Sequence, residues 1–298
     1  MRARQLEVFT AVMRAGTVTG AARMLNISQP ALSQVLKHTE DDLGFLLFAR
    51  EKGRLHPTPE AMELYPEAER LSAGLEGLRR KTTDLRKGRA GLVRVAASAP
   101  PSMSILPRAL MGLRAKHPNI QLRAHVAPLS TLIAMLRAGD ATLALALDDQ
   151  LPADIGVEVI DKTSFCCLLP TDSDLADAQN ISLLDLAGQT VISYRSNTRP
   201  RDELDRAAQA QGLRFQPDLE IDSSISAVGF VQAGLGIAVV DALLPWHQFP
   251  GIVMCPLAQS PQFPLSLLTL KDRQIAQADQ FMIDELRALC ATRRNPDA

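Results

Sequence analysis

Apolar residues along the first part of the chain recur at gaps of three and four, the spacing of amphipathic helices. Leu6, Phe9 and Met13, flanked by Val8 and Val12, predict a first helix that Gly16 stops. Val18, Ala21, Ala22 and Leu25 give a second helix one apolar face, with Thr17 as its cap and Asn26 at its end. A third helix opens at Ser28, whose hydroxyl can accept from a free backbone N–H; Ile27 and Leu32 form a staple around that cap, and Pro30 sits in the first turn, where its missing N–H costs nothing. Leu32, Val35, Leu36 and Leu43 are its inward positions. Phe45 to Thr58 is short, with a Lys52-Gly53 turn, and predicts a two-stranded wing. From Thr58-Pro59 a long helix carries Ala61, Leu64, Ala68, Leu71, Leu75, Leu78, Thr82 and Leu85 at alternating gaps of three and four. That is a heptad seam, which asks for a partner helix, with burial of the seam on its own domain as the alternative.

Past the charged hinge 87–91 the period changes. Apolar runs predict strands at 92–97, 120–126, 143–147, 165–169, 190–194, 219–221, 237–240, 252–254 and 265–270. Helices are expected at 105–117, 129–138, 183–186, 201–211, 224–233 and 276–290, with 98–102 as a loop. Strand and helix alternation of this kind builds parallel βαβ units, here in two similar lobes with a cleft between them.

The outward face of the third helix carries Gln29, Ser33 and Lys37 four apart, with Pro30 and Gln34 beside them, and no acid. Amides and hydroxyls read base edges in a major groove and lysine meets phosphate, so this face suits duplex DNA. A solvated helical hairpin shares the pattern. Thr17 and Thr19 at the start of the second helix, and Arg50, Lys52 and Arg54 in the wing, extend the candidate DNA surface.

Ala21-Ala22, then Ser28-Gln29-Pro30-Ala31-Leu32-Ser33, Leu43-Gly44, Leu47-Phe48-Ala49-Arg50 and Pro57-Thr58 together resemble the DNA-binding segment of the LysR-type transcriptional regulators. Gln34 departs from the family pattern, which often has arginine there, and Ala61 stands where many members have glycine. The resemblance implies a mixed fold: a winged helix-turn-helix DNA-binding domain over 1–58, a linker and dimerisation helix over 59–90, and an α/β, periplasmic-binding-protein-like effector domain over 91–298. Its lobe I would be 91–162 and 266–298, and its lobe II 163–265. It further implies a homodimer or homotetramer on a dyad operator, paired through Leu64, Leu71, Leu75, Leu78 and Leu85, with RNA polymerase as a candidate further partner.

Composition supports that division. Residues 1–90 hold 15 Lys and Arg against 11 Asp and Glu, and the remainder 17 against 22, so a net charge of −1 hides a basic front and an acidic rear. One Trp and two Tyr are too few for a base-stacking binder of single strands. The start, Met-Arg-Ala-Arg-Gln-Leu-Glu, runs into a helix without a signal peptide, and no apolar run approaches the roughly 20 residues of a membrane span, so the expected location is the cytoplasm. Cys166, Cys167, Cys255 and Cys290 lack metal-ligand spacing. They read as small buried apolar residues, with thiol-based redox sensing as the alternative.

Ligands of open α/β sheets sit past the carboxyl ends of strands, where helix N-termini present free N–H groups. Four hydroxyl-rich loops occupy such places: Ser98, Pro101 and Ser102; Leu129, Ser130 and Thr131; Ser196 to Arg199; and Asp222, Ser223 and Ser224. Arg195, Arg199 and Arg201 can grip an acid, Asp148, Asp149 or Asp222 an ammonium, and Phe165 can floor the cleft. The expected effector is a small zwitterion or organic acid. Residues 194–199 and 234–241 also resemble the amino-acid- and opine-responsive branch of the family. No catalytic motif, phosphate-cradling loop or metal pair stands out, so neither an enzyme nor a cofactor is expected. A solute-binding protein without a DNA role is the remaining rival.

Overall fold

The computed structural model describes residues 1–51, 54–86 and 91–294. The expected wing tip Lys52-Gly53 and most of the expected hinge therefore lie outside the described residues. The chain divides into two compact units, one up to Gly88 and the other formed mainly by residues from Arg89 onward.

In the first unit, helix α1 (Ala3–Ala15) buries Leu6, Val8, Phe9 and Val12 and ends at Gly16, whose φ of +65° is the left-handed turn that favours glycine. Helix α2 (Val18–Met24) is capped by the Thr17 hydroxyl, which accepts from the Gly20 N–H at 3.1 Å. Ala21 and Ala22 are buried, and their small side chains let α1 and α3 approach. Helix α3 (Gln29–Leu43) is capped by Ser28, whose Oγ accepts from the Ala31 N–H at 3.3 Å. Strands β1 (Phe48–Glu51) and β2 (Arg54–Pro57) pair antiparallel, Phe48 opposite Pro57. The Glu40 carboxylate accepts from the N–H groups of Leu47 and Phe48 and so fastens the ribbon to α3. Phe9 packs on Phe48 and edge-on to Tyr65 at the centre of this core.

Helix α4 (Pro59–Arg86) starts with Thr58 accepting from the Ala61 N–H at 3.2 Å. Its heptad seam splits into two rows. Ala61 and Ala68 are buried, and Leu75 is partly buried, against the core of their own unit; Leu64 packs there as well. Leu71 and Leu78 stand 52% and 63% exposed. The expected single seam facing a partner is corrected accordingly: Leu64 and Leu75 are occupied within the unit, because α1 covers that side of α4. The side chain of Leu85 lies outside the described residues.

The second unit holds two five-stranded sheets. In the first, β3 (Leu92–Ala97), β4 (Gln121–Val126) and β5 (Leu143–Ala146) run parallel in the order β4-β3-β5. Then β12 (Phe263–Leu270) pairs antiparallel with β5 and with β6 (Ile155–Thr163). In the second, β7 (Phe165–Pro170), β8 (Val191–Tyr194), β9 (Leu219–Ile221), β10 (Ile237–Asp241) and β11 (Ile252–Pro256) take the order β11-β7-β10-β8-β9, with β8, β9 and β10 parallel. Helices α5 (Ala99–Met103), α6 (Ile105–Lys116), α7 (Leu129–Ala138) and α10 (Gln277–Arg294) belong with the first sheet, and α8 (Arg199–Ala210) and α9 (Ala227–Gln232) with the second. The chain passes between sheets at Ser164 and again over 257–262.

Three local expectations need correction. Residues 99–103 form a short helix rather than a loop, started by Pro100 and Pro101 in its first turn. Residues 183–186 are hydrogen-bonded turns, not a helix. Strand β6 has no counterpart in the sequence reading: its Val157 and Val159 are exposed on an edge strand, so it lacks the apolar run that marks a buried one. At Gly236 an added Cβ would lie 2.1 Å from the Thr190 carbonyl oxygen, so only glycine lets β10 start beside β8.

Candidate functional site

The first candidate surface is the outer face of α3. Pro30, Gln34 and Lys37 are exposed and Ser33 is half-buried. The Gln29 amide donates to the Ser33 hydroxyl at 3.1 Å, so the two present one polar unit outward. Thr17 and Thr19 are exposed at the start of α2. Ser28 and Thr17 are committed to their caps, but a hydroxyl that accepts through one lone pair still has its proton to donate. Arg50 and Arg54 sit in β1 and β2; their side chains lie outside the described residues. The arrangement is a helix N-terminus and an acid-free polar face, held by a packed core behind Leu32 and Leu36.

The second candidate site lies between the two sheets of the second unit. The carboxyl ends of β3, β4 and β5 carry Ser98, Leu129 and the Asp148-Asp149 loop; those of β8, β9 and β10 carry Arg199, Ser223 and Asp241. Helix α5 packs against the 3-10 turn Ser224–Ser226, which brings the Ser98 end of one lobe to the Ser223 end of the other. The Ser98 and Ser223 hydroxyls are buried without a hydrogen-bond partner among the described residues. Arg199 reaches across the lobes: its Nε lies 2.9 Å from Asp149 Oδ1, and its Nη1 3.0 Å from Glu203 Oε1. The Arg199–Asp149 contact is an ion pair by distance without hydrogen-bond alignment, and both atoms are buried. Burial, with the Asp149 charge beside it, pushes the Asp148 carboxyl above its ordinary value, against the Gln150 N–H and Arg199.

Several expected ligand contacts are placed elsewhere. Phe165 is 1% exposed and packs on Phe263 with ring centroids 4.4 Å apart, so it supports the cleft from beneath and has no free face for a ligand. Asp222 points outward, with its side chain 80% exposed and paired to Arg195. Arg201 is buried in structural bonds to Asp205, Glu220 and the Tyr194 carbonyl, and stacks over Phe215. The Ser102 hydroxyl donates to the Ala99 carbonyl, and Pro101 is buried. Ser130 and Thr131 are exposed at the start of α7, beyond the outer strand β4, while Leu129 packs partly into its own lobe.

Below the site lies a polar node the sequence reading passed over. Asp241, wholly buried, accepts from the Tyr194 hydroxyl at 2.6 Å and the Leu243 N–H at 3.0 Å, and its carbonyl accepts from the Trp246 indole at 2.7 Å. Burial raises its carboxyl, and the Ser224 and Tyr194 hydroxyls partly offset that. The signal was an acid closing the apolar run Ile237 to Val240. All four cysteines are buried and unbridged. Cys167 lies opposite Cys255 on paired strands, a neighbourhood invisible in the sequence, yet burial pushes the Cys167 thiol up to about 12 and raises Cys166 and Cys255 as well. Thiols held protonated this way are poor nucleophiles.

Residues 3–62 match the model of the bacterial regulatory helix-turn-helix proteins of the lysR family, and residues 86–291 that of the LysR substrate binding domain. The transcriptional activator protein LysR of Escherichia coli is 30% identical over 268 residues, 89% of this chain and 86% of that protein. The regulatory protein NocR of Agrobacterium fabrum is 27% identical over 81% of this chain and 80% of its own length. The octopine catabolism and uptake operon regulator OccR of Rhizobium meliloti is 28% identical over 81% and 80%. Among solved structures, the LysR family regulator CbnR aligns over 97% of this chain and 99% of its own, with a TM-score of 0.72 at 20% identity, and its complex with target DNA aligns at 0.71. Among the described residues no helix is long and apolar enough to cross a membrane. With two family models spanning nearly its whole length, the chain belongs to the LysR family and is a transcriptional regulator with a DNA-binding head and an effector-binding domain.

Proposed function

We propose that this regulator reads a dyad operator through α3. Gln29, Ser33 and Gln34 face base edges, while Lys37, Arg50 and Arg54 meet phosphates. The observation that carries this reading is the outward Gln29–Ser33 pair on a doubly capped, well-packed helix. Two copies pair through the exposed row of α4, Leu71 and Leu78, and so place two recognition helices one helical turn apart on DNA. The cytoplasm is the compartment this role requires. A small effector binds between the lobes against Ser98, Ser223 and Arg199, and shifts the protein between two states by its difference in affinity for them. Arg199 beside Asp149 and Asp148 favours an amino-acid-like zwitterion, and the likeness to a regulator of octopine catabolism, octopine being an amino-acid derivative, agrees with it.

Fluorescence anisotropy with operator DNA from the regulator's own promoter tests the head. Gln29→Ala, Ser33→Ala and Lys37→Ala combined are expected to weaken specific binding at least a hundredfold with the melting temperature held. Unchanged affinity would refute α3 as the reading helix.

A further inference from the structure

Arg199 is the cation at the mouth of the inter-lobe site, and it is already occupied. Asp149 of the first lobe and Glu203 of its own helix both lie on its guanidinium. Glu203 is held a second time, by Arg206 at 3.0 Å, and sits one helical turn from Arg199, so it stays in place whatever the lobes do. Asp149 is different. It sits in the loop after β5, across the cleft, and its contact lacks hydrogen-bond alignment. It is the exchangeable carboxylate on Arg199.

We propose that Asp149 is the selectivity element of the inter-lobe site: it holds the place of a ligand carboxylate on Arg199, and it yields that place only to a ligand that brings a cation in exchange. The inference rests on the effector reading above. A ligand acid that takes Arg199 releases Asp149 next to Asp148 in a half-buried loop. Burial already pushes the Asp148 carboxyl up and the Asp149 charge adds to that push, so two adjacent carboxylates without a cation are costly there. A ligand amine or guanidine set a few bonds from its carboxylate restores the balance by pairing with Asp149. A plain organic acid leaves the two carboxylates facing each other, so it is turned away. The Ser98 and Ser223 hydroxyls, buried and without a partner among the described residues, give the incoming carboxylate its neutral donors.

The test uses the full-length protein and matched pairs whose des-amino member carries no cation: alanine and propionate, norvaline and pentanoate, phenylalanine and 3-phenylpropanoate, glutamate and glutarate. Thermal melting is followed for the wild type and for Asp149→Asn, which keeps the loop's shape; Asp149→Ser is the second variant, and the ligand-free melt of each reports its folding. The wild type is expected to be raised by about 5 °C by at least one α-amino acid and by less than 1 °C by its des-amino partner. In Asp149→Asn the des-amino partner is expected to close most of that gap. Equal shifts by both members of the pair in the wild type, or full discrimination kept in both variants, would overturn the role of Asp149 alone. A panel that moves none of the proteins would overturn the amino-acid reading of the effector, and this proposal with it.

Discussion

Asp241 keeps a carboxyl group wholly buried on hydroxyl and amide contacts, while its backbone carbonyl takes the Trp246 indole, and together these tie β8, β10 and the Ser224 turn. Its raised value sets a sign. The folded protein holds the proton more tightly than the unfolded chain, so this group's contribution is fully favourable below its ordinary value of 3.8 and is lost as pH rises through the raised folded value. Asp148 and Asp279 shift the same way, so the difference between wild type and Asp241→Asn isolates it. Denaturant midpoints at pH 4 and pH 8 are expected to fall less for Asp241→Asn than for the wild type. Asp241→Ala strands the Tyr194 hydroxyl and the Leu243 N–H in the core and is expected to cost about 2–4 kcal/mol. Parallel pH profiles for Asn and wild type would mean the carboxyl is ionised as readily in the core as in water.

At the scale of elements, α4 shows how one sequence period serves two surfaces. Ala61, Ala68 and Leu75 lie seven apart on one row, and Leu64, Leu71 and Leu78 on the next. The first row fits the core of the head because two alanines admit α1 closely; the second turns outward from Leu71 onward. Leu71→Glu with Leu78→Glu is therefore expected to lower the oligomeric state in sedimentation equilibrium while the melting temperature of the head holds. Ala68→Glu, which buries a charge without a partner, is expected to destabilise the head by more than about 2 kcal/mol. The reverse outcome would assign the partner-facing row to Ala68. Caps behaved as local chemistry dictates. Thr17, Ser28 and Thr58 each accept from an N–H three residues on, which is why the helix starts were legible to the residue.

The whole molecule separates charge by function, with a basic first part and an acidic remainder. On the proposed reading Lys37, Arg50 and Arg54 supply three phosphate contacts per head, about six in a dimer. The logarithm of operator affinity should then fall against the logarithm of salt with a slope of about −5. That is a loss of ~10³ between 50 and 200 mM. Lys37→Ala should flatten the slope by about 2, one contact from each copy. A slope that does not change with Lys37 would place that residue off the backbone.

Much of this molecule was decided locally. The starts of α2, α3 and α4, the polar face of α3 and the parallel strand runs follow from side chains within a few residues of one another, and the sequence alone specifies them, family included. What required the tertiary structure was every choice between neighbours far apart in the chain. Nothing near Leu75 tells it from Leu71, nothing near Arg201 says that Glu220 and Asp205 will claim it while Asp149 claims Arg199, and edge strand β6 is a strand only because Phe263–Leu270 pairs with it. Those outcomes depend on burial and on which opposite charge arrives first in space. A one-dimensional pattern lists the candidates for such pairs, but only the packed chain brings them within 3 Å of one another.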